Sequence, residues 1–345
     1  MKKTKLIIVD GHCSVGKSSI SKGVFKQISL NQDAYWLHEE CEKHPIRDQE
    51  FSFGELDTAE GMERNKLGML QKWAAFRDSI LSSGKVCITE GCLLHAYDRF
   101  FIHSLWSDEQ ITAYYTQVME TIRELNPMIV FLHRPGLGKS LEKAFVARGQ
   151  WWKDLMLKRD DLHVYFKDHI YVDENSMYDA IEFEQQKMME IFDGLQCSKV
   201  KIDTSAEQWD QYIQRIISFF GSGYRKLDPF PCDLEQYIGR YRWENRTDAE
   251  DWIIDFDDSN QCLYTSLFWP YMPMQCVAEN VFELISFPVT MHFQKNDAGL
   301  QFRVEGNYEW DYNDQIFVKD QVSESPYGRV VIIYALQLAV IIHQV

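Results

Sequence analysis

Gly11-His12-Cys13-Ser14-Val15-Gly16-Lys17-Ser18 (GHCSVGKS) has the spacing G-x-x-x-x-G-K-[ST], and the residues on either side decide what that spacing means. Before it, Leu6-Ile7-Ile8-Val9 has the length and β-branched content of a strand buried on both faces. Behind it, Ile20, Val24, Phe25 and Ile28 recur at helical spacing, so a helix is expected from Ser18 to Ile28. Strand, glycine loop and helix N-terminus follow in the order a phosphate-binding loop requires. Gly11 and Gly16 let backbone N–H groups turn inward on phosphate oxygens, and the helix dipole adds partial positive charge at the same point. The pattern assigns Gly11, His12, Cys13, Ser14, Val15, Gly16, Lys17, Ser18 and Ser19 to nucleotide binding, with Asp10 as a flanking helper. Lys17 is expected on the β- and γ-phosphates and Ser18 on Mg²⁺. ATP is the default nucleotide.

Composition narrows the classes. With 345 residues, 45% of them hydrophobic and 14% aromatic, the chain has material for two cored domains. A formal charge of −16 argues against a general nucleic-acid or anionic-membrane surface and favours small-molecule or protein partners. The eight cysteines include no C-x-x-C pair, so neither a disulfide framework nor a zinc ribbon is indicated, and a reducing cytoplasm is the expected compartment. The basic start is followed by only four apolar residues before Asp10, too few for a signal peptide. The Val330 to Ile342 run has thirteen residues, short of the roughly 20 that span a bilayer, and is expected to be buried.

Taken in order, Ala34 to His38 is a second strand ending in the acidic stretch Glu39-Glu40-Cys41-Glu42, and Ala59 to Ser82 is a helix. Val86 to Thr89 is a third strand that ends in Glu90-Gly91, where a carboxylate can face the phosphate loop. Ser107 and Gln110 form a capping box opening a helix to about Leu125, and Met128 to Leu132 is a fourth strand. Gly136-Leu137-Gly138-Lys139-Ser140 imitates a second phosphate loop, but His133 stands where its first glycine belongs, which makes it a decoy. Lys143, Arg148, Lys153, Lys158 and Arg159 then form a basic helical stretch between Leu141 and Asp161 that is expected to act as a lid, with Arg148 on the transferring phosphate. A helix from Asp173 to Leu195, a fifth strand from Val200 to Asp203 and a helix capped by Ser205 and Gln208 complete the α/β part. Beyond Gly221-Ser222-Gly223 and Pro229-Phe230-Pro231 the pattern changes to short strands and turns, the signature of a β domain.

These residues resemble the nucleoside and nucleotide kinase group of P-loop proteins, which includes thymidylate kinase and the deoxynucleoside kinases. A narrower resemblance to an uncharacterised bacterial kinase-like family rests on GHCSVGKS, HEECEKHPI, Trp73 with Phe76, ITEGCLL and LNPMIVFLHRP followed by the basic helix. The resemblance implies that a glutamate after the second strand, Glu39 or Glu40, takes the proton of the acceptor hydroxyl. It also implies that Glu90 serves Mg²⁺, whereas the arginine these families place next is here Gly91, which weighs against acceptors that carry a phosphate. Arg77 is the candidate substitute. The segment from Leu234, with Tyr237 to Tyr241, faintly resembles small β domains appended to serine hydrolases and other bacterial proteins.

The expectation is therefore an α/β domain over residues 1–221, with a mainly parallel five-stranded sheet and helices on both faces, followed by an antiparallel β domain over 232–345. The expected activity is Mg²⁺-dependent transfer of the ATP γ-phosphoryl group to a hydroxyl of a nucleoside-like or antibiotic-like small molecule. In that scheme Lys17, Glu90 and Arg148 act on the phosphates and metal, and Glu40, or its neighbour Glu39, acts on the acceptor. The alternatives are a nucleotide-dependent regulatory switch and a nucleotide-binding module without transfer.

Overall fold

Leu6, Ile7, Ile8 and Val9 are fully buried because their strand, β1 (Leu6–Asp10), runs through the middle of a sheet. The other strands are β2 (Ala34–Leu37), β3 (Val86–Glu90), β4 (Met128–His133) and β5 (Ser198–Asp203), in the spatial order β2-β3-β1-β4-β5. Every pairing is parallel, so the sheet is wholly rather than mainly parallel. The computed structural model describes residues 3–47, 58–95, 101–102, 104, 106–157, 173–244, 246, 251–297, 299–306, 308 and 312–320. Lys158, Arg159 and the Val330 to Ile342 run lie outside the described residues. The chain divides into two compact units, Met1–Leu227 and Asp228–Val345.

In the first unit the strands alternate with α1 (Lys17–Ser29), α2 (Ala59–Ser83), α3 (Asp108–Thr121), α4 (Leu137–Arg148), α5 (Gln150–Leu157), α6 (Glu174–Gly194) and α7 (Trp209–Phe220). Trp73 and Phe76 of α2, Tyr114 and Tyr115 of α3, Phe131 of β4 and Phe192 of α6 share one core with Leu6 and Ile8 of β1. Burial of side chains of this size gives about 2–3 kcal/mol each and fixes the helices against the sheet. Because β1 lies between β3 and β4, the chain reverses direction across the sheet at the carboxyl end of β1, the place where ligands bind in open parallel sheets.

Two helices differ from expectation. The basic stretch forms two helices rather than one, because Gly149 at φ 84 ends α4 before α5 begins. Ser205 caps nothing: its hydroxyl donates to Asp203 Oδ1, and α7 starts after Gln208 without a side-chain cap. Among the described residues no helix is long and apolar enough to cross a membrane.

The second unit is a closed antiparallel barrel with the strand order β10-β11-β12-β13-β6-β7-β8-β9. Its strands are β6 (Gly239–Trp243), β7 (Trp252–Asp257), β8 (Cys262–Thr265), β9 (Met272–Ala278), β10 (Val281–Leu284), β11 (Val289–Asn296), β12 (Gly299–Gly306) and β13 (Ile316–Lys319). Alternate residues point inward, as in Gly239, Tyr241 and Trp243 of β6, and closure leaves no unpaired sheet edge. The interior is filled by Tyr237, Tyr241, Phe282, Phe293, Phe302 and Phe317, all at most 5% exposed, so this is a side-chain core.

Candidate functional site

The glycines of GHCSVGKS are required by both backbone and space. Gly11 has φ 138, and a Cβ on it would lie 2.2 Å from the Leu132 carbonyl oxygen. Gly16 has φ 94, and a Cβ there would lie 2.5 Å from the Trp209 ring. Trp209, the first residue of α7, therefore closes over the glycine loop itself. Asp10 accepts from the backbone N–H groups of Gly11, Leu93, Leu94 and His95 at 2.7–3.0 Å, so it holds the turn after β3 against the loop. Ser19 lies half-buried in the first turn of α1.

Lys17 is 5% exposed and its Nζ donates to the His12 carbonyl across the loop at 3.1 Å. Ser18 Oγ donates to Glu90 Oε1 at 2.8 Å, joining the start of α1 to the end of β3. Ser21, one turn on, donates to the other Glu90 oxygen, and Trp36 Nε1 donates to Ser21 Oγ at 2.9 Å. His38 completes this shell. Its Nδ1 accepts from the Glu40 N–H at 2.9 Å, which leaves the proton on Nε2 to point at Glu90 Oε1, 3.1 Å away. Burial, helped by the neighbouring Glu39 carboxylate, pushes the Glu90 pKa up to about 8, against hydrogen bonds from Ser21 and Ser18 and the charge of Lys17.

Glu39 and Glu40 face different ways. Glu40 pairs with Arg47 at 3.3 Å. Glu39 reaches the glycine loop: a Cβ at Gly91 would lie 2.3 Å from Glu39 Oε2, 3.2 Å from Lys17 Cε and 3.4 Å from His95 Cδ2. This also accounts for Gly91. Its φ is 59 and the space beside it holds the Glu39 carboxylate, so an arginine at this position has neither the backbone nor the room. Arg77 does not replace it, because its guanidinium bonds Asp78 and the Thr121 carbonyl. His44 lines the same segment at 7% exposure, with Nδ1 accepting from the Ile46 and Arg47 N–H groups at 3.2 Å. Burial pulls its pKa down to about 4, although the Glu39 charge opposes this, so the ring is neutral.

Arg148 ends α4 with its guanidinium 4.4 Å from the Trp152 ring centroid, and its charge acts on the Cys13 thiol. Lys143, on the same helix, lies 3.6 Å from Glu207. Arg134, at the end of β4, donates to Glu207 at 3.1 Å and to the Thr204 carbonyl at 2.9 Å, tying the turns after β4 and β5 together. Gly138 of the decoy loop packs on Tyr178, and its N–H donates to Glu182 Oε1 at 3.1 Å.

One partner of the loop had no signal in the sequence. Glu184, in the middle of α6, lies 2.9 Å from His12 Nε2, and His12 Nδ1 lies 3.0 Å from Cys13 Sγ. Burial lowers the His12 pKa, but Cys13 and Glu184 outweigh it and raise it to about 9. Burial likewise raises the Cys13 pKa, and His12, Lys17 and Arg148 bring it down to about 7. Glu184 is separated from the loop by 172 residues, a distance no local motif bridges.

No family model matches this chain, and no curated protein matches it. Among solved structures it is similar to a protein titled a "putative kinase" from Chloroflexus aurantiacus J-10-fl, with 16% identity and a TM-score of 0.31 over 63% of this chain and 99% of the other. It is also similar to a sulfotransferase from Alicyclobacillus acidocaldarius, with 14% identity and a TM-score of 0.33 over 66% of this chain and 88% of the other.

Proposed function

We propose that the first unit is a phosphotransferase that moves the γ-phosphoryl group of ATP, with Mg²⁺, to a hydroxyl of a small molecule lacking a phosphate. The observation that carries this reading is the convergence of Lys17, the Ser18–Glu90 hydrogen bond and the Glu39 carboxylate at the carboxyl ends of β1, β2 and β3. A turn that only joins a strand to a helix needs none of these groups.

The residues present fit the groups implied. Gly11 and Gly16 have the backbone that lets the loop N–H groups face an anion, and Lys17 is held within reach of the same loop by the His12 carbonyl. Ser18 and, through ordered water, Glu90 would hold Mg²⁺, which when bound would neutralise charge on the transferring phosphates. Ser21 and His38 orient Glu90 for that task. Lys17 binds the phosphates, and Arg148 joins it from the end of α4.

Glu39 is the group we assign to the acceptor. Its carboxylate sits beside Lys17 and therefore near the phosphate to be moved, where it can orient an attacking hydroxyl and accept its proton. Glu40, the other candidate, holds Arg47 instead. Gly91 in place of arginine removes the cation that an acceptor phosphate needs at close range, so the substrate class is a nucleoside-like or antibiotic-like alcohol.

The test is acceptor-dependent ADP release across a panel of nucleosides, nucleoside monophosphates and aminoglycosides, with Lys17→Ala as the blank. Release stimulated by an unphosphorylated alcohol and lost in Lys17→Ala is expected. Release that no alcohol stimulates, or that Lys17→Ala retains, refutes the proposal.

A further inference from the structure

The phosphate loop carries a cluster that phosphoryl transfer does not use. Glu184, His12 and Cys13 form a continuous line, carboxylate to imidazole at 2.9 Å and imidazole to thiol at 3.0 Å. His12 and Glu184 are fully buried, whereas Cys13 keeps 8% of its surface open. A carboxylate that orients an imidazole, which in turn holds a thiol, is the arrangement that keeps a sulfur nucleophilic. Lys17 and Arg148 add positive charge at the same sulfur. A cysteine that merely filled the loop would need no buried carboxylate behind it, and burying one has a desolvation cost of several kcal/mol.

Three other cysteines lie in the opposite environment. Burial pushes the thiols of Cys87 and Cys276 up to about 12 and that of Cys197 up to about 11, and among the described residues no imidazole is hydrogen-bonded to them as His12 is to Cys13. Cys13 is the thiol built to react, and it stands where the nucleotide phosphates are expected.

We propose that Cys13 is a covalent modification site for peroxides and that its oxidation closes the phosphate loop to nucleotide; the second half rests on the nucleotide-binding reading above. The Cys13 thiolate attacks one peroxide oxygen, the S–O bond forms as the O–O bond breaks, and hydroxide leaves. The His12 imidazolium supplies the proton that turns the hydroxide into water. Sulfur loses two electrons, the peroxide gains them, and Cys13 carries a sulfenic acid. The added oxygen takes up space among the loop N–H groups and offers Lys17 and Arg148 a competing acceptor in place of phosphate. One small thiol condenses with the sulfenic acid, releasing water and forming a mixed disulfide, and a second thiol cleaves it, leaving Cys13 reduced and the two small thiols joined as their own disulfide.

The full chain is treated with hydrogen peroxide at pH 7.5, sulfenic acid is trapped with a dimedone-type dione, and the labelled cysteine is located by peptide mass spectrometry. Binding of a fluorescent ATP analogue is followed in parallel. Cys13 is expected to label at least roughly tenfold faster than any of the other seven cysteines. MgATP slows that labelling, peroxide abolishes analogue binding, and dithiothreitol restores it. Cys13→Ser keeps its own untreated level of binding after peroxide, and Glu184→Gln labels more slowly at Cys13. Labelling of Cys13 no faster than its fellows overturns the site, a result read from wild-type protein alone. Complete labelling with unchanged analogue binding overturns the closure. If the untreated protein binds no nucleotide, the kinase reading fails while the labelling rate still decides the site.

Discussion

Replacing Gly91 by alanine separates the two reasons for a glycine at the end of β3. The first is conformational: at φ 59 an L-residue costs about 1–2 kcal/mol, which in a unit of this size lowers the Tm by roughly 2–8 °C. The second is functional. The new methyl would stand 2.3 Å from Glu39 Oε2, so the carboxylate has to retreat by about 1 Å from its place beside Lys17, a displacement that can reduce transfer about 10²-fold. Gly84→Ala supplies the control. Gly84 has φ 70 and nothing within 4 Å of its Cβ position, so it carries the backbone strain without displacing any group.

Both variants are therefore expected to melt earlier by similar amounts, and only Gly91→Ala should lose phosphoryl transfer, with nucleotide affinity unchanged in each. Differential scanning calorimetry gives the first quantity and acceptor-dependent ADP release the second. If Gly91→Ala transfers phosphate at the rate of Gly84→Ala, the Glu39 carboxylate does nothing at that position and its assignment to the acceptor is wrong.

Glu39→Gln should lose roughly 10²- to 10⁴-fold in transfer while Glu40→Gln, which releases Arg47, stays near the parental rate; equal losses in initial-rate assays would contradict the separation of the two neighbours. Glu90→Gln should raise the Mg²⁺ concentration needed for half-maximal turnover and leave metal-free nucleotide binding intact, as a magnesium titration at fixed ATP will show. Arg148→Ala should depress turnover by the equivalent of a few kcal/mol in the barrier, and unchanged single-turnover rates would remove it from the phosphate site. His44 is held neutral, with its pKa moved from 6.5 down to about 4, so the folded state binds fewer protons than the unfolded state between those values. The resulting stability is complete above pH 6.5 and is lost as pH falls toward 4, by up to about 3 kcal/mol relative to His44→Gln in urea unfolding; parallel pH profiles for the two proteins would refute this.

How much of this site can be read from the chain depends on where each residue leaves regular structure. The glycine loop is legible because a strand, two glycines, a lysine and a helix are contiguous, and each element constrains the next. Glu90 is legible because β3 is a short apolar run whose last residue must emerge at the sheet's carboxyl end. Glu39 and Glu40 are not separable in this way: β2 ends at Leu37, the alternation that sorts side chains to opposite faces stops there, and a turn then directs one carboxylate to Lys17 and the other to Arg47. Trp209 and Glu184 are hidden for a different reason. Each occupies a regular position on a helix, α7 or α6, and only the docking of that helix decides that the ring covers Gly16 and that the carboxylate meets His12. Barrel closure is of the same kind, since inward and outward alternation fixes which residues of β6 and β13 are buried but not that the two strands pair. Local sequence thus announces the loop residues, His12 and Cys13 among them, whereas the groups that act on them, Glu184 and Trp209, arrive through tertiary packing.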